Sequence, residues 1–192
     1  MIEIRISGYG GQGVIRCGYI IGKAVSLYDG KSATMTQSFG PEARGSACSS
    51  QVVIAPDRVL YPYVTLPQIL VSMSQEAYTK FESNLDENGI LIYDEDLVFP
   101  GPPKENIKIY SIPSTRLAEE MGAKIVANIV MLGFFTAVTD VVSADAVRKA
   151  IPGSVPDRLI DLNIKAFEKG YEYGKNILNK KFRVESKKLE LS

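Results

Sequence analysis

Four glycines lie within a six-residue segment near the start of the chain, and their spacing suits the binding of an anion. Glycine has no Cβ, so the backbone can take positive φ angles and approach a ligand or another chain closely. The helical pattern that begins at Val14 would place its first amide groups beside the segment, where the helix dipole favours negative charge. We expect a site for a phosphate or for a partner's carboxylate. The segment, called the glycine loop below, consists of Gly8, Tyr9, Gly10, Gly11, Gln12 and Gly13.

The glycine loop also fits the dinucleotide fingerprint G-x-G-x-x-G, and it has the strand before it and the helix after it that this fingerprint requires. A nicotinamide or flavin enzyme of this type needs an acidic residue at the end of its second strand, about 20 residues further on. The second strand ends in Thr36-Gln37-Ser38, and Asp29 lies in the turn before that strand. Independent dinucleotide binding is therefore disfavoured. A second alternative remains open, in which the glycines only permit a tight turn and close helix packing.

A second candidate loop follows the second strand and carries charge of both signs. If the first two strands are parallel neighbours, both loops leave the sheet at its carboxyl edge, where ligands of open α/β sheets bind. The alternative is a solvated turn with a local Glu–Arg pair. This segment, called the charged loop below, contains Gly40, Pro41, Glu42, Ala43, Arg44 and Gly45.

The composition excludes several classes of function. Lys plus Arg equals Asp plus Glu at 22 each in 192 residues, so no overall field attracts nucleic acid or an anionic membrane. The absence of histidine excludes a histidine base and a histidine-ligated zinc. Two cysteines, Cys17 and Cys48, are too few for an iron–sulfur cluster held by this chain, and we expect both to be buried thiols. No secretory signal pattern opens the sequence, so a cytoplasmic location is expected.

Alternating apolar patterns predict a three-layer α/β/α domain over residues 1–180, with a Rossmann-like, mostly parallel sheet and some antiparallel strands. An extended segment, Val59–Pro62, is expected to run antiparallel. Asn128 lies in an apolar helix too short to span a membrane, so it needs hydrogen-bond partners or faces a ligand or partner. A charged tail over residues 181–192 is expected to be mobile or ordered against a partner. The predicted strands are Ile2–Ile6, Ala33–Gln37, Ala47–Ala55, Gln68–Met73, Gly89–Tyr93 and Ile107–Ile112; the predicted helices are Val14–Leu27, Gln75 to near Leu85, Ser114–Met121, Ile125–Thr139, one opening at Ser143–Ala146, and Arg158–Asn179.

Three segments together resemble the gamma subunit, or domain III, of the 2-oxoacid:ferredoxin oxidoreductases. They are the glycine loop with Val14, the run Phe39–Gly45, and the helix segment Asn128–Gly133. The longer run Thr36–Gly45 is more similar to the 2-oxoglutarate branch than to the pyruvate branch. Ser46 stands where a second glycine is commoner in the family, so a role that needs unusual backbone angles there is not expected.

The resemblance implies a hetero-oligomer in which alpha, beta and delta-type subunits hold thiamine diphosphate, Mg²⁺ and 4Fe–4S clusters. Those subunits decarboxylate a 2-oxoacid, coenzyme A takes the acyl group, and ferredoxin takes the electrons. The resemblance places this chain near the coenzyme A approach, with no catalytic residue, metal or cofactor of its own. The glycine loop, the charged loop and Asn128 are then expected to contact coenzyme A or the partner subunits.

Other functions stay open on the sequence alone. A free-standing dinucleotide-binding oxidoreductase would use the glycine loop for a nicotinamide or flavin. A self-associating scaffold would use it for no ligand. Within the family, pyruvate or a branched-chain 2-oxoacid is the alternative substrate.

Overall fold

A computed structural model describes residues 1–39, 47–102 and 104–190, with side chains described as far as Lys180. Strands and helices alternate through most of the chain, as the apolar patterns predict. The strands are β1 (Ile2–Tyr9), β2 (Ser32–Ser38), β3 (Ala47–Ala55), β4 (Ile69–Ser72), β5 (Ile90–Asp94) and β6 (Lys108–Ile112). The helices are α1 (Val14–Tyr28), α2 (Gln75–Phe81), α3 (Ser114–Glu120), α4 (Ala127–Thr139), α5 (Ala144–Ala150) and α6 (Ile160–Glu190).

The six strands form one mixed sheet in the order β2-β3-β1-β4-β5-β6. Strands β1, β4, β5 and β6 are parallel to one another, and β3 is antiparallel to both β1 and β2. The first two strands are therefore not neighbours, so the expectation that they are parallel neighbours is wrong in that respect. They nevertheless run in the same direction, because each is antiparallel to the strand between them. Both strands thus end at the same edge of the sheet.

The two faces of the sheet are covered unequally. Ile4, Ile6 and Val71 point to one face, where they join the main core with the apolar sides of α1, α4, α5 and α6. Leu70 and Leu91 point to the other face and pack against residues of α2 and of the following loops. This alternation follows from the two-residue period of a strand. It produces the predicted three layers in a single domain.

Two polar residues of β1 fix the connection between β3 and β4 to the thinner layer. The backbone amides of Thr65 and Leu66 donate to the carboxylate of Glu3, at 2.7 and 2.9 Å. The Arg5 guanidinium lies 4.8 Å from the centre of the Phe81 ring. Burial lowers the pKa of Arg5 below its ordinary value. The segment Val59–Pro62, predicted to be an antiparallel strand, forms no strand. The carboxylate and the guanidinium hold the nearby connection without a sheet ladder.

Helices α4 and α6 pack at very close range because glycines lie at their contact. A Cβ on Gly133 would overlap the backbone carbonyl of Phe167, and a Cβ on Gly170 would overlap that of Val130. The sequence shows only an apolar run in α4, whereas the paired glycines explain how the two backbones meet. The last helix also continues to Glu190, beyond the predicted end at Asn179.

The shorter helices are positioned by caps and one ion pair. The hydroxyls of Ser74 and Ser143 accept hydrogen bonds from the amides three residues on, as their places before α2 and α5 predict. Helix α2 ends at Phe81, before the predicted Leu85, and one 3₁₀ turn follows. Arg148 of α5 donates through two nitrogens to Glu168 of α6, at 2.6 and 3.1 Å.

The glycine contact between α4 and α6 leads to a stability prediction. Gly170→Ala should lower the free energy of unfolding by about 1–3 kcal/mol, because the new methyl group meets backbone that cannot move aside. Gly22→Ala is the matched control: this helical glycine of α1 has no atom within 4 Å of a built Cβ, so alanine should raise stability by up to about 1 kcal/mol. Urea denaturation measures both. Equal effects in the two variants would contradict the close-packing account.

Candidate functional site

The side chain of Gln12 holds the glycine loop in place. Its Oε1 accepts the amide of Tyr9 at 2.6 Å, and its Nε2 donates to the carbonyl of Met73 at 2.8 Å, just beyond β4. A Cβ on Gly8 would lie 2.5 Å from the Gln12 Oε1, so glycine at this position leaves room for the side chain. Gln12 therefore links the ends of β1 and β4, the two parallel strands at the centre of the sheet.

Asn128, at the start of α4, fixes the other end of the loop. Its Nδ2 donates to the carbonyl of Gly13 at 3.2 Å, and its own carbonyl accepts from the thiol of Cys17 at 3.2 Å. Gly13 has a φ angle of 75°, and a Cβ built there would overlap the side-chain Nδ2 of Asn128. Both facts require glycine at position 13. The hydrogen-bond partner predicted for Asn128 is thus the glycine loop itself.

A groove of about 920 Å³ opens beside the glycine loop at the carboxyl edge of the sheet. The strand register brings the walls of the groove together. Tyr9 of β1 pairs with Ala47 of β3, and Ser38 of β2 pairs with Ser49 of β3. The ends of β1 and β2 and the beginning of β3 thus meet at one edge. The lining residues come from the glycine loop, the first turns of α1, β2 and the residue after it, β3, the segment that enters α4, and the connection after α5. They are Gly10, Gly11, Gly13, Val14, Ile15, Arg16, Tyr19, Met35, Gln37, Phe39, Cys48, Ile125, Asn128 and Ser154.

The groove favours an anion. Arg16 is exposed and forms no ion pair with any residue that the structure describes, while no acidic side chain is among the described lining residues. Gly13 precedes α1 without a side-chain acceptor for the first amides, and the first turn contains no acidic residue. The helix dipole and the guanidinium therefore act in the same direction.

Neither cysteine is an activated nucleophile. Cys17 is fully buried, and burial raises the pKa of its thiol to about 12. Cys48 lines the groove but is only 5% exposed, and burial raises the pKa of its thiol above the ordinary value. A raised thiol pKa leaves the group protonated and unreactive at neutral pH. Buried thiols at both positions agree with the sequence prediction.

The structure brings several predicted site residues together and gives them different roles. Gly10, Gly11, Gly13 and Asn128 line the groove. Gly8 is buried, and the side chain of Gln12 is bound to Tyr9 of the loop and to Met73 beyond β4, so these two residues shape the site. Gly40, Pro41, Glu42, Arg44 and Gly45 lie outside the described residues, and their site role stays a prediction from the sequence. Phe39 and Ala47, the nearest described residues on either side, lie at the groove edge.

Sequence reasoning missed Arg16 and Tyr19. Both follow from the helical period of α1: Val14, Cys17 and Gly18 are buried, so positions 16 and 19 face outward beside the glycine loop.

Asp94 was also missed, and its role is structural. Its buried Oδ2 accepts from the Ser114 hydroxyl at 2.6 Å and from the Thr115 amide at 2.8 Å, so it joins the end of β5 to the start of α3. The signal was available, since an aspartate ends a buried strand and Ser-Thr opens a helix pattern.

Within the part of the chain that the structure describes, no group of three His, Cys, Asp or Glu side chains is arranged to hold a metal ion. No described helix is both long enough and apolar enough to cross a membrane.

The fold is a mixed α/β domain, and its groove beside the glycine loop suits an anion. These two features define the class of α/β domains with which the chain was compared. The family described as pyruvate ferredoxin/flavodoxin oxidoreductase matches residues 3–173. The chain therefore belongs to this family, and the resemblance seen in the sequence is confirmed.

Individual relatives agree with this assignment. A 2-oxoglutarate synthase subunit KorC of Methanocaldococcus jannaschii is 49% identical over 177 residues, which cover 91% of this chain and 95% of that protein. A pyruvate synthase subunit PorC of Methanothermobacter marburgensis is 33% identical over 175 residues, covering 90% and 97%. The crystal structure of a keto/oxoacid ferredoxin oxidoreductase gamma subunit from Geobacter sulfurreducens PCA superposes with a TM-score of 0.80 and 42% identity, covering 91% and 98%. These relatives are subunits of oxidoreductases, and the last one confirms the predicted fold class.

The two hydrogen bonds of Gln12 lead to a prediction. Gln12→Ala should cost about 1–3 kcal/mol of unfolding free energy, because it leaves the Tyr9 amide and the Met73 carbonyl without their partner. Gln37→Ala is the control: the side chain of Gln37 is exposed in the same groove and forms no hydrogen bond with another described residue, so its removal should change stability by less than about 0.5 kcal/mol. Chemical denaturation of both variants measures the difference. An equal, small effect would show that Gln12 does not hold the loop.

Proposed function

We propose that this chain is the gamma subunit of a 2-oxoglutarate:ferredoxin oxidoreductase and that its groove faces coenzyme A or the catalytic subunits. The observation that carries the substrate is the 49% identity to a 2-oxoglutarate synthase subunit over 91% of this chain. The relative named for pyruvate is 33% identical. In the proposed reaction the complex converts 2-oxoglutarate and coenzyme A to succinyl-CoA and CO₂, and ferredoxin receives the two electrons.

The chemistry of the chain agrees with a non-catalytic role in the complex. Thiamine diphosphate with Mg²⁺ and the 4Fe–4S clusters are assigned in this proposal to alpha, beta and delta-type partner subunits. The chain has no histidine and only two cysteines, both buried, so it does not fit the ligand set of an iron–sulfur cluster. What it offers is a groove whose one charged side chain among the described lining residues is the cationic Arg16. Its own residues would bind and orient an anionic group and exclude water around it.

Coenzyme A fits this groove through its phosphates. The Arg16 guanidinium, the positive end of α1 and the side-chain-free backbone at Gly10 and Gly11 are each suited to phosphate oxygens. Gly11 has a φ angle of 100°, and a Cβ built there has no protein atom within 4 Å, so the loop leaves space on that side. The charged loop, with Glu42 and Arg44, is included in the proposed contact surface on the sequence alone.

The groove does not favour a nicotinamide or flavin nucleotide held by this chain alone. Such a site needs a carboxylate at the end of the neighbouring parallel strand to bind the ribose hydroxyls. Here the neighbour of β1 on that side is the antiparallel β3, and the described groove lining contains no carboxylate. The fingerprint match therefore reflects the loop geometry and not the ligand.

The direct test is purification of the chain from its native source, followed by assay of the complex. We expect co-purifying subunits that contain thiamine diphosphate and iron–sulfur clusters, and coenzyme A-dependent reduction of ferredoxin with 2-oxoglutarate. A preference for pyruvate or a branched-chain 2-oxoacid would overturn the substrate. Purification of the chain without partners, or micromolar nicotinamide or flavin binding with turnover by the chain alone, would overturn the subunit assignment.

The role of the glycine loop is tested by a matched pair of variants. Gly11→Ala and Gly30→Ala each place a side chain at a positive φ angle, 100° and 65°, and in both cases the built Cβ meets no protein atom. Both should lower the melting temperature through backbone strain. Only Gly11→Ala should also raise the KM for coenzyme A or weaken subunit association, by about tenfold, the equivalent of about 1.4 kcal/mol. Gly30 lies in the turn before β2, away from the groove lining.

Equal effects of the two variants on KM and on association would show that the loop is only a turn.

The same comparison applies to Arg16→Ala, with Arg58→Ala as its control. Arg58 is exposed in the connection after β3, at the end of the strands opposite to the groove. Loss of one charge-assisted contact should weaken coenzyme A or subunit binding for the Arg16 variant alone.

A further inference from the structure

Strand β2 forms one outer edge of the sheet. It pairs with β3 along its whole length, from Ser32 opposite Ala55 to Ser38 opposite Ser49, and no described strand lies on its other side. In an edge strand, alternate residues direct their backbone N–H and C=O groups away from the sheet. Over seven residues β2 therefore presents a row of backbone donors and acceptors that another strand can use.

Within its described residues, this edge strand lacks the usual protection against pairing. Natural edge strands carry proline, bulges or charged side chains, especially lysine. No proline and no charged residue lies between Ser32 and Phe39, and the nearest charge before them, Lys31, directs its Nζ to the carbonyl of Val141 at 3.4 Å. The opposite edge of the sheet is different: β6 is shorter and begins with the exposed Lys108. The two edges are thus treated differently, and only one is suited to pairing.

The sequence of β2 indicates what pairs with it. Around Met35 the strand is nearly symmetric: threonine lies one position away on each side, and serine lies three positions away on each side. An antiparallel pairing of two identical strands about Met35 would place Thr34 opposite Thr36 and Ser32 opposite Ser38. Paired threonines and serines stabilise antiparallel sheets, and a strand that pairs with itself must carry no charge that would meet its own copy. β2 satisfies both conditions.

We infer that β2 is a self-pairing edge, on which a second copy of this chain docks antiparallel with Met35 opposite Met35. The two six-stranded sheets then form one continuous sheet across a two-fold axis, an isologous contact that closes on itself. The main-chain hydrogen bonds of β2 would supply the specificity of the contact.

Self-pairing would bring the two grooves to the same face of the joined sheet. Met35 and Gln37 both line the groove, so this is the face to which the odd-numbered residues of β2 point. Residues directly opposite in an antiparallel pair point to the same face. The Met35 side chain of the second copy would then lie next to that of the first, and each groove would gain a wall from the other copy. Exposed Phe39, just after β2, would lie opposite Lys31 of the second copy.

Disulfide trapping tests both the contact and its register. Residues directly opposite in an antiparallel pair have Cα atoms about 4.5–5.5 Å apart, within the range that a disulfide spans. The full chain carrying M35C, purified alone and with its co-purifying subunits, should form a disulfide between two copies under mild oxidation. The unmodified chain is the blank, because Cys17 and Cys48 are both buried.

The matched control uses the neighbouring position. In the inferred register residue 34 faces residue 36, so two copies of T34C are offset diagonally by about 7–8 Å and should form the disulfide at least about tenfold more slowly than M35C. An equimolar mixture of T34C and T36C, one of them carrying a mass tag, should restore fast formation as the mixed dimer. Light scattering of the unmodified chain should give twice the chain mass.

Three results would overturn the inference: a monomeric unmodified chain together with no M35C dimer, equal trapping of T34C and M35C, or a cross-link from position 35 to a different subunit. The last result would show that a partner strand occupies the edge. Circular dichroism of each variant identifies one that fails to fold, and the light-scattering mass of the unmodified chain then decides. None of these readouts depends on turnover, so the outcome is independent of the proposed enzymatic function.

Discussion

The antiparallel strand β3 between β1 and β2 is the constraint on which the site depends. Because β3 runs antiparallel to both β1 and β2, those two strands run in the same direction and end at the same edge of the sheet. The glycine loop and the residues that enter and leave the charged loop thus share that edge, although their strands are not neighbours. A parallel strand in the same place would have needed a long crossover, so the short charged loop could not have joined β2 directly to β3.

The edge is then fixed by side chains that bind neighbouring backbone groups. Gln12 joins the ends of β1 and β4, Asn128 joins α4 to the carbonyl of Gly13, and Asp94 joins β5 to α3. Gln12 and Asp94 lie where a strand ends, Asn128 lies at the start of a helix, and each forms hydrogen bonds with backbone groups of the segment that it joins. Their energetic contribution is to order the loop before anything binds. An ordered loop does not lose conformational freedom on binding, which raises the affinity available to a small number of contacts.

Much of the fold could be predicted from the sequence, because the strands and helices are marked by strong local patterns. The alternation in Ala47–Ala55 and the serine caps of α2 and α5 are signals of this kind. The order of the strands could not be predicted, since an antiparallel and a parallel β3 have the same local pattern. Nor could the absence of a strand at Val59–Pro62, in a connection that Glu3 and Arg5 of β1 hold further along, at residues 64–66. Tertiary contacts overrode local preference there.

The candidate site was predictable to a similar extent. Glycine spacing identified the loop, and an amide inside an apolar helix identified Asn128, because both are unusual for their surroundings. Arg16 was not identified, since the helical period of α1 shows only that it is exposed. Its significance comes from the end of β2 at Ser38, which lies 22 residues further along the chain and forms the facing wall of the groove.

The seam of glycines between α4 and α6 has a mechanical meaning. Backbones in direct contact cannot slide past each other without the carbonyls of Val130 and Phe167 colliding with the facing chain, so the two helices move as one rod. One end of this rod carries Asn128 and its hydrogen bond to Gly13, and the other is the long extension of α6 to Glu190. The packed pair of helices therefore connects the extended α6 to the glycine loop through direct backbone contacts and one side-chain hydrogen bond.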